Sequence, residues 1–228
     1  MSNIRITRVA GALYLVIIAA GLFGELFVRA QLVDNADAAT TAANILASTS
    51  LFRAGFMADA IMVVCDIAIA VLLYVLLKPV NKTLSLTAAV FRLTQAAVLS
   101  FNLLIYYAAL LLLTGTGYMS LIGEQQQQAL SALFLDLHAH GYDLGLLFFA
   151  VSNVILGYLI VRSKIAPVVL GYGLIAAAVV YLAGSLLRFL APAVLPAFLP
   201  AYVVPLIAEL SFAVWLLMGR PNLRSSAP

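Results

Sequence analysis

Apolar residues in this 228-residue chain fall in six runs, each about as long as a membrane-spanning helix. The runs cover approximately residues 9–30, 53–77, 84–113, 141–161, 166–190 and 199–219. A helix needs about 20 apolar residues to cross a hydrocarbon core of about 30 Å, whereas a transmembrane strand needs an alternating segment of about 10. The pattern therefore predicts an all-α, polytopic membrane protein. Residues 1–228 are predicted to form a single six-helix transmembrane domain.

The distribution of Lys and Arg predicts the topology, because cytoplasmic loops carry an excess of basic residues. If the N-terminus is cytoplasmic, the inner segments hold eight of the twelve basic residues. These eight are Arg5, Arg8, Lys78, Lys82, Arg162, Lys164, Arg220 and Arg224. Both termini are therefore predicted to be cytoplasmic. The first apolar run is too long for the core of a signal peptide, so we interpret it as an uncleaved first helix.

Two of the outer loops contain amphipathic stretches. The loop between spans 1 and 2 begins with Asp34 and Asn35, which are residue types that cap helix N-termini. In the loop between spans 3 and 4, four apolar residues recur at the spacing i, i+3, i+4, i+7, namely Leu130, Leu133, Phe134 and Leu137. That spacing places them on one helix face. Both stretches are predicted to form short interfacial helices on the outer surface.

Composition supports a membrane environment and argues against other classes. Hydrophobic residues make up 65% of the chain and charged residues 9%, whereas about a quarter of a soluble domain is charged. The net charge of +3 is spread over short loops, so the predicted partner is the lipid bilayer and no nucleic acid is indicated. Cys65 is the only cysteine, which excludes an intramolecular disulfide and a cysteine-based metal site.

Polar residues within or beside the spans are the candidate functional residues, because charges at bilayer depth are costly and usually face the bundle interior. The candidate set is Glu25, Arg53, Asp59, Asp66, Arg92, Gln95, Asn102, His138, His140, Asp143, Arg188 and Glu209. Helical spacing gives each span after the first one polar face. At membrane depth this set contains five carboxylates and two arginines, which leaves a surplus of three negative charges. Arg29 and Arg53 at the rim are available to neutralise two of them. An unpaired carboxylate at this depth is expected to be protonated or to hold a cation.

The two histidines raise the question of a metal site. His138 and His140 project about 200° apart on a helix, so they are not expected to share one interior site. His140 shares a face with Asp143, whereas His138 lies on the side of Gly141 and Gly145, whose spacing allows close helix approach. Zinc needs three or four ligands, and the weak candidates are His138, His140, Asp143, Asp59 and Glu25. No spaced metal motif supports them, so no metal and no cofactor are predicted. A proton-handling role and a structural interfacial role stay open for each histidine.

The chain resembles a known family in five blocks, namely "LFRAGFMAD", "VFRLTQAAV", "LHAHGYDLGLLFFA", "LGYLIVRSKIAPVVLG" and "AELSFAVWLLMG". The family is the bacterial membrane proteins of domain of unknown function 4386, and the likeness runs over nearly the whole chain. It implies a six-helix, multi-pass protein of the bacterial cytoplasmic (inner) membrane, and it implies no activity. On the matching blocks, the hallmark positions of the family correspond to Arg53, Asp59, Arg92, His138 and Glu209.

Three functions follow as hypotheses. The first is a carrier- or channel-like protein for a small solute or ion, in which buried acidic and Arg residues handle protons. The second is an intramembrane enzyme acting on a lipid or isoprenoid at the outer leaflet, with Arg188 binding an anionic head group and a carboxylate or histidine as base. The third is a non-catalytic membrane partner whose polar residues only specify packing. Motifs for nucleophilic catalysis and for phosphate binding are missing from the sequence, so a small molecule, an ion or a lipid is the expected ligand.

Overall fold

The computed structural model describes residues 3–115 and 117–219, and within these ranges helices and short turns account for the fold without any β-strand. Seven helices of ten or more residues lie in this part of the chain. They are α1 (Asn3–Leu22), α2 (Ala38–Ala47), α3 (Thr49–Leu77), α4 (Lys82–Thr114), α5 (Glu124–Ser163), α6 (Val168–Leu190) and α7 (Val203–Met218). The prediction of an all-α protein is confirmed.

Six helical segments are long and apolar enough to cross a membrane. They are Ile4–Leu32, Thr49–Leu77, Lys82–Thr114, Glu124–Ser163, Val168–Leu190 and Pro192–Met218. The predicted number of spans is therefore confirmed, and the chain is a multi-pass membrane protein suited to a lipid bilayer. The orientation of the termini and the identity of the membrane stay predictions. Arg220 and Arg224, which contributed to the predicted topology, lie outside the described residues.

The six spans pack as a ring in chain order. Each of α1, α3, α4, α5, α6 and α7 contacts its neighbours in the sequence, and α7 packs back against α1. One end of this ring, which we call the hairpin end, contains the short turns at residues 78–81 and 164–167. The opposite end, which we call the long-loop end, contains α2 and the proline-rich segment before α7.

Local sequence explains the tight turns at the hairpin end. The Asn81 side chain caps α4 by accepting a hydrogen bond of 2.9 Å from the backbone N–H of Leu84. Helix α5 ends at Ser163, and the next residue, Lys164, caps it in a left-handed conformation with φ of 54°. Pro167 stands immediately before α6, where its missing N–H breaks no helical hydrogen bond. Both hairpins are therefore defined by residues within the turns.

Apolar side chains cover the outside of the ring as well as its core. Val64, Phe101 and Val169 are 67%, 67% and 71% exposed, as expected for side chains that meet lipid rather than water. Close packing of the first and last spans depends on Gly11. A Cβ atom at this position would lie 2.5 Å from the backbone nitrogen of Leu217, so only glycine permits this approach of α1 to α7.

The prediction that the fourth span begins near residue 141, after a separate short helix, is wrong. Helix α5 runs from Glu124 to Ser163 without interruption over 40 residues, which makes it about 60 Å long. Good helix formers fill residues 124–140, and neither glycine nor proline ends the helix there. This loop therefore has no separate interfacial helix. The predicted apolar face is divided, because Leu133 and Leu137 are 49% and 45% exposed while Phe134 packs against buried side chains of the bundle.

The other loop helix forms as predicted, although its cap differs. Asp37 caps α2 by accepting hydrogen bonds from the Ala39 N–H at 2.9 Å and the Thr40 hydroxyl at 2.6 Å. The expected cap at Asp34 instead accepts from the Ala36 N–H within the preceding turn. The position of α2 at a membrane interface stays a prediction.

The last span begins irregularly. Regular helix starts at Val203 rather than at residue 199, and the preceding segment consists of short helical turns from Pro192 to Tyr202. Pro196 and Pro200 lack the N–H that a continuous helix would use. The proline spacing therefore divides this span into an irregular half and a regular half.

Candidate functional site

The polar faces of the spans point into the ring and form two clusters. On α4, the predicted stripe of Arg92, Gln95, Asn102 and Tyr106 is fully buried. What we call the central cluster consists of Tyr14, Asp66, Arg92, Gln95, Asn153, Tyr181 and Glu209. The loop-end cluster consists of Glu25, Arg29, Asp59, Asn102, Tyr106 and His138.

An ion pair between neighbouring spans lies at the middle of the central cluster. Arg92 Nε donates to Asp66 Oδ1 at 2.8 Å, and Arg92 Nη2 lies 2.6 Å from the same oxygen. Gln95 Nε2 donates to Asp66 Oδ2 at 3.0 Å. Both partners of the ion pair are at most 3% exposed. Such a buried pair persists only when further hydrogen bonds satisfy it, and Gln95 supplies one of them.

Two aromatic rings hold the guanidinium group of Arg92. Its Cζ atom lies 5.1 Å from the centroid of the Tyr14 ring and 4.8 Å from that of Phe149. Both distances fall within the range of cation–π attraction. The arginine is thus fixed by α1 and α5 in addition to its pairing with α3.

Glu209 on α7 is the buried carboxylate that lacks an arginine partner. It is 6% exposed, and its Oε1 atom accepts a hydrogen bond of 3.1 Å from Asn153 Nδ2. The Tyr181 hydroxyl also interacts with this carboxylate. Among the described residues no ion pair includes Glu209, since Arg92 is turned toward Asp66.

All six spans contribute to the central cluster. Residues in chain order are Tyr14 on α1, Asp66 on α3, Arg92 on α4, Asn153 on α5, Tyr181 on α6 and Glu209 on α7. The predicted candidate set lacked Tyr14, Asn153 and Tyr181, because that set was selected mainly by charge. Asn153 could have been found from the sequence, because it is a lone amide in the middle of an apolar span.

The loop-end cluster centres on Arg29. Its Nε atom donates to Glu25 Oε2, four residues earlier on the same helical segment, at 2.8 Å. Its Nη1 atom donates to Asp59 Oδ2 on α3, also at 2.8 Å. Gly24 permits this arrangement, because a Cβ atom there would lie 2.9 Å from Asp59 Oδ1.

The chain around Arg29 is π-helical. Helix α1 continues without a break into a π-helical segment, Phe23–Arg29, and ends with one α-helical turn, Ala30–Leu32. At the end of the segment the Ala30 N–H donates to the carbonyl of Glu25, five residues back. π-helical turns are rare and frequently lie at functional sites. No sequence pattern used above predicts this segment.

His138 and Asn102 bind each other reciprocally. Asn102 Nδ2 donates to the His138 carbonyl at 2.8 Å, and His138 Nδ1 lies 3.2 Å from the Asn102 carbonyl. Because a carbonyl only accepts, Nδ1 carries the hydrogen and Nε2 of the neutral ring is a bare acceptor. The expected side for His138 is confirmed, since Gly145 on the same helix packs against Leu99 of α4.

Three buried acceptor atoms of the loop-end cluster accept no hydrogen bond from any described residue. They are Asp59 Oδ1, Asn102 Oδ1 and His138 Nε2. The side chains come from α3, α4 and α5, and the His138 ring lies 5.0 Å from that of Tyr106. Buried polar atoms without partners are uncommon in native proteins.

The second histidine belongs to a different environment. His140 Nδ1 donates to the Asp136 carbonyl at 2.8 Å, and its side chain is 34% exposed. Nearby, Asp143 pairs with Arg188 of α6 and accepts a hydrogen bond of 3.2 Å from Ser185. The histidines therefore do not share a site, as the helical geometry predicted.

Two candidates expected to be buried are not. The Glu25 side chain is 68% exposed. Arg53 is also exposed, and no ion pair joins it to another described residue. Its position six residues before Asp59 turns it about 120° away from the interior face of α3.

Of the two rim arginines that were available to reduce the expected surplus of three negative charges, Arg29 neutralises one carboxylate and Arg53 pairs with no described residue. Asp59, Asp66 and Asp143 each pair with an arginine. With Glu25 exposed, Glu209 is the one buried carboxylate among the described residues that has no arginine partner.

The metal candidates are dispersed. Across residues 3–115 and 117–219, no group of three or more His, Cys, Asp or Glu side chains is arranged to hold a metal ion. Asp59 is occupied by Arg29, Asp143 by Arg188, and His140 by Asp136. The proposed set of five ligands does not converge on one point.

These features define a polytopic α-helical membrane protein with charged residues in the interior of its bundle. The family model described as domain of unknown function (DUF4386) matches residues 9–219, and the chain belongs to this family. An uncharacterized protein of Archaeoglobus fulgidus is 28% identical over 158 residues, which cover 69% of this chain and 78% of that protein. No solved structure matches the chain.

Proposed function

We propose that the protein is a carrier- or channel-like membrane protein for a small solute or ion, and that Glu209 binds and releases a proton or cation. The observation that carries this proposal is the burial of Glu209 without an arginine partner at the centre of a six-span bundle. Asp66 and Glu209 carry two negative charges against the single positive charge of Arg92. One proton or one monovalent cation neutralises the cluster, and burying an uncompensated charge is strongly unfavourable.

The hydrogen-bond partners of the two central carboxylates differ in a way that supports this role. Asp66 faces Arg92, which only donates and therefore suits an ionised carboxylate. Glu209 faces the amide of Asn153 and the hydroxyl of Tyr181, and both groups can donate or accept. Asn153 Oδ1 accepts no hydrogen bond from the described residues, so an amide rotation can present it to a protonated Glu209.

Placement of the site favours coupling to a conformational change. Because every span supplies a residue to the central cluster, a change of one charge there acts on groups from all six spans. A ligand or proton shifts a conformational equilibrium only through its different affinity for the two states. A site shared by all six spans provides such a difference directly.

Infrared titration of the purified protein tests the proposal without knowledge of the solute. Wild type should show a protonated carboxyl band that appears and disappears with pH or cation concentration, and Glu209→Gln should lack it. Glu25→Gln is the matched control, because it removes an exposed carboxylate and should keep the band. If the wild-type and Glu209→Gln spectra superimpose throughout the titration, Glu209 does not exchange and the proposal is wrong.

Transport itself is measured in proteoliposomes. A pH-sensitive dye inside the vesicles reports proton movement while a panel of small solutes is added outside. We expect solute-dependent proton movement with wild type and with Glu25→Gln, and none with Glu209→Gln of equal fold and yield. Equal rates in all three proteins would remove Glu209 from the transport mechanism.

The loop-end cluster favours a second candidate function, an enzyme acting on a lipid or isoprenoid. His138 Nε2 is an acceptor without a partner, which is the form that a general base requires, and Asp59 and Arg29 lie in the same cluster. Lipid analysis of membranes with wild type and His138→Ala tests this function. A lipid product that depends on His138 would favour the enzyme, and identical lipid profiles would favour the carrier.

A further inference from the structure

Two small cavities extend from the central cluster toward the hairpin end. The first, of about 10 Å³, is lined by Arg92, Ser85 and Ser152 among others. The second, of about 20 Å³, reaches Thr7 on α1 and Ile165 in the turn between α5 and α6. Three leucines line both cavities, namely Leu73, Leu77 and Leu156. The cavities are therefore neighbours, the first in contact with Arg92 of the central cluster and the second with the turn at the hairpin end.

The second cavity is lined by residues one helical turn along the chain from Glu209 and from its partner Asn153. Phe212 lines it and follows Glu209 by three residues, so it lies on the same face of α7. Leu156 lines it and follows Asn153 by three residues on α5. On both helices, therefore, the residue that lines this cavity lies one turn toward the hairpin end from a residue of the Asn153–Glu209 hydrogen bond.

On the long-loop side of Glu209 the bundle is closed by larger and charged groups. The rings of Tyr181 and Tyr202 meet edge to face with centroids 6.0 Å apart. Beyond them, Arg188 pairs with Asp143. A path to the long-loop end would have to displace an aromatic contact and break an ion pair.

We propose that the species exchanged at Glu209 is a proton, and that it reaches Glu209 from the hairpin end through water entering these two cavities. This inference rests on the proposed function of Glu209. A cavity needs about 10–15 Å³ to hold one water. The first cavity lies at the lower limit of this range and the second has room for one water, and both are too small for a hydrated metal cation. Their walls are largely apolar, and water therefore enters transiently.

The rate of hydrogen–deuterium exchange at the Glu209 carboxyl tests the route. Leu156→Phe adds volume to a wall that both cavities share, and it should slow exchange of the infrared carboxyl band several-fold after transfer to D₂O. Leu156→Ala widens the same wall and should accelerate exchange. Leu146→Phe is the control, because Leu146 is a buried leucine on the same helix that lines neither cavity.

The outcomes separate this inference from the proposed function. A carboxyl band whose exchange is slowed by Leu146→Phe but not by Leu156→Phe places the route at the long-loop end and overturns the inference, while Glu209 keeps its role. A band that responds to sodium concentration and not to pH identifies a metal cation and also overturns the inference. Absence of any band that depends on Glu209 contradicts the proposed function itself. Opposite effects of Leu156→Phe and Leu156→Ala, with the control unchanged, support the inference. If one of these variants does not fold, the direction of the change in the other, slower for Leu156→Phe or faster for Leu156→Ala, decides the test.

Discussion

The central and loop-end clusters use the same residue types in different ways. In the loop-end cluster, Arg29 is shared between buried Asp59 and exposed Glu25. In the central cluster, Arg92 is committed to Asp66, and Glu209 has only neutral partners. Both clusters contain two carboxylates and one arginine, but only the central cluster buries all three groups.

This difference in burial determines at which cluster the gain or loss of a charge has a large energetic effect. At the loop end, the excess negative charge belongs to Glu25, which is 68% exposed and can be screened by solvent or head groups. At the centre, the excess charge belongs to Glu209, which is 6% exposed. Protonation or cation binding is therefore of little energetic importance at the first position and decisive at the second.

The largest predicted effect is the loss of Arg92. Arg92→Met leaves Asp66 as a buried carboxylate without its charged partner, and breaking a buried pair costs about 3–5 kcal/mol. We expect a lower thermal unfolding temperature in detergent and poor yield. The double variant Arg92→Met with Asp66→Leu removes both charges and should recover much of the lost stability. If the double variant is as unstable as the single one, packing rather than charge accounts for the role of Arg92.

The pairing of Arg92 with Asp66 also makes one of the two central carboxylates a better target for mutation than the other. Asp66→Asn leaves the buried guanidinium of Arg92 without its ion-pair partner, so loss of transport in that variant would be confounded by instability. Glu209→Gln leaves no buried charge unpaired and is the cleaner substitution.

The next largest effect distinguishes the two partners of Arg29. Asp59→Asn should destabilise the protein by about 2–3 kcal/mol, because Asp59 is the buried partner of a largely buried arginine. Glu25→Gln should change stability by less than about 1 kcal/mol, as is usual for exposed ion pairs. Thermal unfolding of both variants at low and high salt measures the difference. Equal effects would show that Glu25 is as important as Asp59 and would weaken the contrast between the clusters.

A smaller effect is expected at the histidines. His138→Ala removes the side-chain donor to the Asn102 carbonyl, which keeps its hydrogen bond within α4, so the loss of this one buried hydrogen bond should cost about 1 kcal/mol. His140→Ala should cost less than about 0.5 kcal/mol, since its side chain lies at the periphery. The comparison is made by unfolding both variants under the same conditions. A larger loss with His140→Ala would contradict the assignment of His138 to the interior.

Hydrophobic run length was sufficient to predict the six spans, because a membrane imposes its thickness on each helix. It was insufficient for the ends of helices. Residues 124–140 are polar enough to leave the membrane but contain nothing that breaks a helix, so α5 continues through them. The proline residues at the start of the last span do interrupt a helix, and the structure has only short helical turns from Pro192 to Tyr202.

The candidate site was predictable to the level of which helix face is polar. Spacing placed Arg92 and Gln95 on one interior face and separated His138 from His140, as the structure has them. Pairing was not predictable, because it depends on which spans are neighbours in the ring. Asp66 and Glu209 both lie on the polar faces of their spans. Only the three-dimensional arrangement shows that Arg92 pairs with Asp66 and not with Glu209.

The smallest expected effect lies outside the spans, at the cap of α2. Hydrogen bonds from the Thr40 hydroxyl and from the backbone N–H groups of Ala39 and Thr40 lower the pKa of the Asp37 carboxyl in the folded protein. Its contribution is therefore complete above the pKa of an unfolded aspartate and is lost as the pH falls through the lower folded pKa. Asp37→Ala should speed hydrogen exchange of the first turn of α2 at neutral pH, and Asp37→Asn, which keeps a capping acceptor, should retain most of the protection. Neither variant should alter the Glu209 infrared band, because α2 supplies no residue to the central cluster. A change in that band would mean that the long-loop end and the centre of the bundle are coupled, and the contrast between the two clusters would then have to be abandoned.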